Sequence, residues 1–337
     1  MTIASTSALL AITLASLVAV AEARAETPGE RCDRLASHPG DPRRNPAFSG
    51  VATGDIDVVA AMSACLQATT SEPANARFHY QLGRAYFDGS NTDGAFAEFS
   101  TAAQSDYPVA KGALGYFYDA GIGTRADKTK ALALALEAAS ENVGFAAHNA
   151  AVMLREGDGA PKDYPKSLAL FRKAVSLGYD QSLVDIGFAY DNGYGVPVDY
   201  AEAMAWYQRA ADKQISEAYN NIGNLYENGN GVAQDDAQAL AWYAKAEAQG
   251  YTLAYMNIAN LIDHAKGQAA DPARAARLVL KAFDEGGKGD DVNEIAWTPQ
   301  FWIAMRAELI AAGRMSAAQD AASEAETKAA FDAMLDG

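Results

Sequence analysis

The chain has 337 residues, half of them hydrophobic, and a formal net charge of −16. That length suits one large domain, two ordinary ones or a repeat array, and the apolar content can supply a core. The negative balance argues against general binding to phosphate backbones, which needs a basic face, and against anionic membrane surfaces, and favours solubility or a basic partner.

The run SALLAITLASLVAVA, Ser7 to Ala21, is apolar but short for a membrane span, and Ala23-Arg24-Ala25 follows it with the pattern of a leader cleavage site. Residues 1–25 are expected to be an export leader and Glu26 the first residue of the mature chain. An uncleaved anchor is the alternative, because no Lys or Arg precedes the run. With the leader removed, no membrane span is expected. The two cysteines, Cys32 and Cys65, follow closely. In an exported chain a lone pair reads as one disulfide, worth about 3–4 kcal/mol on the chain-entropy account. A redox or nucleophilic cysteine would call for a CxxC motif or an activating histidine nearby, and neither is present. IDVVAAMSACLQA, from Ile56, reads as a helix.

The rest of the chain repeats itself. YDNGYGVPVDYAEAMAWYQRAA begins at Tyr190 and YENGNGVAQDDAQALAWYAKAE at Tyr226, a step of 36. Laid out at that step, copies begin at Ala110, Ala146, Ser182, Ala218 and Ala254; a shorter copy begins at Phe78. Each opens small, with an apolar residue four positions on (Leu114, Ala150, Ile186, Ile222, Ile258), then a small one (Gly115, Ala151, Gly187, Gly223, Ala259), then usually a large one (Tyr118, Leu154, Tyr190, Tyr226, Ile262). That spacing is one face of a helix, and its small residues admit a second helix at close range.

Paired glycines follow, as in Gly193/Gly195 and Gly229/Gly231, suited to backbone turns at positive φ. With no Lys-Ser/Thr behind them, and recurring copy after copy, they read as turns rather than a phosphate cradle. Asp127, Asp163, Asp199, Asp235 and Asp271 then each precede a second helical run, where a carboxylate caps the free N–H groups. Capping explains all five without metal or acid chemistry, and Asp199…Glu202 and Asp235…Gln238 resemble capping boxes. Adjacent large residues on the second helix, Trp206-Tyr207 and Trp242-Tyr243 among them, diverge by about 100°, so one fills its own hairpin and the other the next. Copies end at Asn142, Gly178, Gly250 and Gly286, suited to a left-handed helix end; one copy has Gln214 there instead. In the short copy, Asp88 to Gly94 has the look of a calcium loop, but Asp93 stands where the obligatory Gly belongs and Phe99 where the bidentate Glu belongs, so it reads as a turn. Each copy is thus a helical hairpin that cannot bury its apolar face alone, and stacking completes the core.

AYNNIGNLYENGNGVAQDDAQALAWYAKAEAQG and its copies, from about Phe78 to Gly287, resemble the Sel-one-like repeat family, a branch of the tetratricopeptide superfamily. The resemblance implies an all-α fold, a right-handed superhelix or solenoid of antiparallel hairpins, that binds other proteins or peptides; many exported bacterial members look like adaptors or regulators of envelope machinery. CDRLASHPGDPRRNPAFSGVATGDIDVVAAMSAC resembles a cap that precedes such repeats in exported bacterial proteins, tied here by Cys32 and Cys65. RAELIAAGRMSAAQDAASEAETKAAFDAM faintly resembles a peptidoglycan-binding module: Gly313 and Thr327 fit its pattern, whereas Gln319-Asp320-Ala321 replaces its Asp-Gly turn. A plain helical cap is the other reading of that stretch. The expected division is a leader (1–25), a cap segment (26–73), about six repeats (74–287) and a C-terminal segment (288–337).

No HExxH, GxSxG, P-loop or dinucleotide-binding fingerprint occurs, and His38, His79, His148 and His264 are scattered. The expectation is a non-enzymatic, periplasmic adaptor with no cofactor, no metal and no nucleic-acid partner. Its partner would be a protein or peptide of the cell envelope, with peptidoglycan as the alternative. In arrays of the resembling kind the first helices line the concave groove, and an Asn at the fourth position can grip a peptide backbone. Here that position reads Ala113, Asn149, Asp185, Asn221, Asn257 and the seventh Tyr116, Val152, Phe188, Asn224, Asn260. An amide both donates and accepts, so the candidate groove residues are Asn149, Asp185, Tyr219, Asn220, Asn221, Asn224, Tyr255, Asn257 and Asn260. The competing reading is that these amides bond to the next hairpin.

Overall fold

A computed structural model describes residues 25–285, 297–315 and 324–335; the leader expected at 1–25 lies almost wholly outside them, as do Gly286 and Gln319-Asp320-Ala321. Its described residues hold helices and no strand. In chain order the helices are α1 (Pro28–Ala36), α2 (Val58–Ser71), α3 (Ala76–Asp88), α4 (Thr92–Gln104), α5 (Pro108–Ala120), α6 (Lys128–Ser140), α7 (Gly144–Glu156), α8 (Tyr164–Ser176), α9 (Ser182–Asn192), α10 (Tyr200–Asp212), α11 (Ser216–Asn228), α12 (Asp236–Glu247), α13 (Thr252–Asp263), α14 (Pro272–Asp284), α15 (Pro299–Ala311) and α16 (Glu324–Leu335). From α1 to α14 each helix packs on the next, and α14, α15 and α16 continue the series, as a solenoid of hairpins must. First helices also approach one another across hairpins, α1 on α3 and α5 on α7, which puts them on the inner side of the bend.

The repeated residues do local work. Asp127, Asp163, Asp199, Asp235 and Asp271 are all N-caps, each accepting from the backbone N–H three residues on at 2.9–3.0 Å. Their own N–H groups return to Tyr118, Leu154, Tyr190, Tyr226 and Ile262, closing the loops. The two expected capping boxes are only half made. Glu202 accepts from Trp206 Nε1 at 2.9 Å rather than reaching back to Asp199, and Gln238 makes no return bond to Asp235. The second loop glycine serves packing as well as the turn. At Gly195, φ is +79°, and a Cβ there would meet the backbone of Tyr164 at 2.7 Å, the start of the preceding hairpin's second helix.

The turn that closes each hairpin is left-handed whatever residue occupies it: Asn142 (φ 66°), Gly178 (84°), Gln214 (60°) and Gly250 (74°). A side chain at such a position costs about 1 kcal/mol or more. Gln214→Gly is therefore expected to raise stability by about 1 kcal/mol, read as a higher urea midpoint; an unchanged or lowered midpoint would mean that the turn geometry differs from this one.

Within hairpins, the small residue of the first helix receives a ring from the second. Gly187 faces Tyr207 and Gly223 faces Tyr243, and both tyrosines are fully buried. Trp206 and Trp242 are half-buried and lean on the neighbouring hairpin, the division of labour expected from their adjacency.

The ends are closed differently. At the N-terminus Cys32 and Cys65 form a disulfide spanning 33 residues and joining α1 to α2. α1 itself is unheralded by apolar periodicity, but Thr27-Pro28-Gly29-Glu30 forms a complete capping box. Asp33, buried, takes an ion pair from Arg77 at 2.9 Å and hydrogen bonds from Asn45 and Gln81 at 2.8 Å, which seals the cap onto α3. At the C-terminus Trp297, Phe301, Trp302, Met305, Leu309 and Phe331 join the core of α13 and α14, and buried Asp263 accepts from the Thr298 backbone N–H at 2.8 Å and its hydroxyl at 2.7 Å. Thr327, one of the residues fitting the glycan-binding resemblance, is buried against this core side.

Candidate functional site

The loop of residues 37–57 does not stay within the cap. Asp41 accepts from the Tyr107 hydroxyl at the start of α5; Arg43 donates to the Asp106 carbonyl and pairs with Glu141 between α6 and α7; the His38 ring lies 5.5 Å from that of Phe145 on α7. The loop thus crosses three hairpins on the inner side and walls a cavity of about 290 Å3. Its other walls are Tyr80, Arg84 and Phe87 of α3, Ala113 and Tyr116 of α5, Phe145 and Asn149 of α7, and Tyr179. A second cavity of about 190 Å3 adjoins it, sharing Tyr116 and Asn149 and reaching Asp119, His148, Val152 and Asp158. Tyr116 is 46% exposed although aromatic.

The charges of this region are unevenly met. Arg84 is buried with no carboxylate of a described residue within ion-pair distance, and its guanidinium donates to the Ala36 and Val51 carbonyls at 2.8 Å each. Burial holds its pKa below the ordinary arginine value. His38 is pushed down to about 4 by burial first and by Arg84 second. The unfolded chain, with an ordinary histidine, binds a proton near pH 6.5 that the folded chain refuses until about pH 4. Stability is therefore lost as pH falls through that window, by about 3 kcal/mol. His38→Gln should remove this part of the pH dependence, measured as the difference in urea stability between pH 7 and 4.5; parallel curves for parent and variant would show that His38 protonates freely.

Of the residues the sequence put forward, Asn149 lies on the wall common to both cavities and makes no side-chain bond to another described residue. Asp185 takes Arg155 at 2.7 Å and lies 3.5 Å from His148, whose pKa burial lowers. Asn221 and Asn260 are half-exposed and likewise make no side-chain bond to a described residue. The others are turned inward. Asn257 Nδ2 donates to Asn220 Oδ1 at 2.8 Å and contacts Asn224 Oδ1 at 3.4 Å, bridging α11 and α13. The Tyr243 hydroxyl lies 2.6 Å from Asn224 Oδ1 and 2.7 Å from the Glu227 carboxylate, so Asn224 is held from the second helix too. Asn220 is 3% exposed and Tyr255 1%, so neither side chain is open to a partner. Tyr219 donates to the Ala211 carbonyl at 3.0 Å and stacks on Trp242. The amide cluster is thus largely an inter-hairpin fastening, and the open amides are Asn149, Asn221 and Asn260.

The cavity itself escaped the sequence reading. Tyr116 was visible as an aromatic at the seventh position, and Phe145 stands where later copies carry Gln181, Glu217 and Leu253; both are aromatics at a solvent-facing register. The loop that closes the wall left no comparable signal. Among the described residues no group of three or more His, Cys, Asp or Glu side chains could hold a metal ion, and no helix is long and apolar enough to cross a membrane.

Comparison with known proteins follows the array. The Sel1 repeat matches residues 76–96, 108–143, 144–179, 181–214 and 216–251. The match stops before α13 and α14, a sixth hairpin whose loop has Ala265, at φ 57°, where the four hairpins before it have glycine. Among solved structures, the fold is similar to that of a protective antigen present in uropathogenic Escherichia coli strains, displaying an SLR fold, with 26% identity and a TM-score of 0.59 over 75% of this chain. The chain spans 57% of that protein's length. A Sel1 repeat protein from Oxalobacter formigenes has the same TM-score at 23% identity, over 75% of this chain and 95% of its own. No curated protein matches the chain. Sel1 repeat proteins generally mediate protein–protein interaction and are typically non-catalytic scaffolds. Five stretches of the chain between residues 76 and 251 thus match the Sel1 repeat.

Proposed function

We propose that the protein is an exported, non-enzymatic adaptor or regulator of cell-envelope machinery that holds a segment of a partner protein in the groove along its first helices. The observation that carries this reading is the cavity of about 290 Å3 between the cap loop and α3, α5 and α7, apolar on most walls and opening beside the unbonded amide of Asn149. A concave apolar pocket with a few polar groups at its edge is the general form of a recognition site. The repeats supply the interaction class, and the disulfide supports an oxidising compartment outside the cytoplasm. The peptidoglycan alternative, resting on residues 288–337, draws less support: Thr327 and Phe331 are buried, and α15 and α16 cover the open end of the array as a terminal cap would.

The test is crosslinking capture from cells, comparing the parent with Ala113→Trp, which fills the cavity, and with Asn149→Ala, both first shown to fold by their far-UV spectra and melting. The same envelope protein recovered with the parent and lost with both variants is the expected result. Equal recovery with all three would remove the groove and direct attention to the outer face.

A further inference from the structure

The partner's chemistry follows from the charges that line the groove. We propose that the segment bound there is cationic: a bulky apolar side chain, aromatic or branched, flanked in sequence by lysine or arginine. This rests on the groove being the binding site and adds what the groove selects.

The cavity comes first. Phe87, Tyr116, Phe145 and Tyr179 give it apolar walls, and its volume is at the lower end of small-ligand clefts, room for one large side chain rather than a cofactor. The charge around it is lopsided. Among the described residues on its wall the one cation, Arg84, is 4% exposed, and its Nη atoms are spent on the Ala36 and Val51 carbonyls, so it offers a partner little. Carboxylates line the cavities instead. Asp88 lines the first cavity; Asp119 and Asp158 line the second and share a single lysine, Lys128, at 2.8 and 3.0 Å.

Further along the same inner face the excess grows. Asp185 and Glu156 share Arg155. Glu217 occupies in α11 the register position that Phe145 holds in α7, and it makes no ion pair or hydrogen bond with any described residue. Loss of solvent there, and then the neighbouring Asp185 carboxylate, hold the Glu217 pKa above the ordinary range. The Arg155 guanidinium pulls the other way and offsets them only in part. The two histidines of the region do not help, because burial lowers the pKa of both His38 and His148. With the whole chain at −16, the potential over the groove attracts cations and repels acidic segments.

A random 12-residue display library panned on the disulfide-bonded protein, with counter-selection on Ala113→Trp, tests this. Enriched peptides should carry an aromatic or branched residue with two or more Lys or Arg close to it. Their affinity should fall about tenfold with Glu217→Lys, and fall again as salt is raised from about 0.05 to 0.5 M. Enriched peptides that are sensitive to Ala113→Trp but neutral or acidic would overturn the cationic preference and leave the groove standing. No enrichment sensitive to Ala113→Trp would overturn the groove, and this inference with it. Should that variant fail to fold, Tyr116→Ser, at an exposed wall position, replaces it in the counter-selection.

Discussion

Cys32→Ala together with Cys65→Ala should lower the stability of the N-terminal cap by about 3–4 kcal/mol, and should loosen the cap before the array. The bond closes a 33-residue loop, and in the chain-entropy account a loop of that length loses roughly that much freedom in the unfolded state. The reason to expect a local loss lies in the distribution of contacts. α1 and α2 form one core with the near face of α3, and the loop between them carries the contacts to Tyr107, Asp106 and Glu141. Limited proteolysis of the double variant should therefore cut first within residues 37–57, while far-UV ellipticity falls only slightly. Because that loop walls the cavity, capture of the partner should fall in the same variant. Cleavage spread evenly along the chain would show that the cap and the array unfold as one unit, and unchanged stability would show that the bond closes a loop already ordered in the unfolded chain.

The second large effect is expected at Tyr243. Its ring is fully buried against Gly223, and its hydroxyl is held by Asn224 and Glu227. Tyr243→Ala should cost about 4 kcal/mol, the usual loss for a buried aromatic truncated to alanine. Gly223→Ala is the informative companion. In an open helix interior that change is favourable by about 1 kcal/mol. Here the new methyl would lie 2.4 Å from Tyr243 Cε1, so the ring must leave or the two helices must part, and the change should be destabilising instead, by about 2 kcal/mol. With Tyr243→Ala already present the methyl has room, and Gly223→Ala should turn neutral or favourable. A double-mutant cycle by urea unfolding measures this; additive costs would mean that the two side chains do not meet. Loss of the Tyr243 hydroxyl also frees Asn224, so the fastening between α11 and α13 should slacken in the same variant.

Much of this molecule was legible residue by residue. The five caps from Asp127 to Asp271, the loop glycines and the small residues at Gly187 and Gly223 depend on contacts within one hairpin or between neighbours, and a 36-residue repeat displays such short-range rules several times over. The cysteine pairing was legible because only two were present. The groove was legible only in part. An asparagine at the fourth position signals an amide, but whether it faces solvent or the next hairpin depends on a rotation of a few tens of degrees about the helix axis. Asn149 and Asn221 remain open at that register, while Asn257, equally placed, spends its amide on Asn220 and Asn224. The capping boxes fail for a similar reason, since Glu202 found a better donor in Trp206 one turn further on.

What the sequence by itself determined is therefore the solenoid, its hairpins and its acidic surface, all consequences of local propensity and composition. What only the tertiary structure decided is where a cavity opens. Residues 37–57 carry no repeat and no periodicity, and their path across α3, α5 and α7 is fixed by long-range contacts from Asp41, Arg43 and His38, whose partners lie 63 to 107 positions away along the chain. Such contacts form only once three hairpins have already stacked, so no local pattern records them.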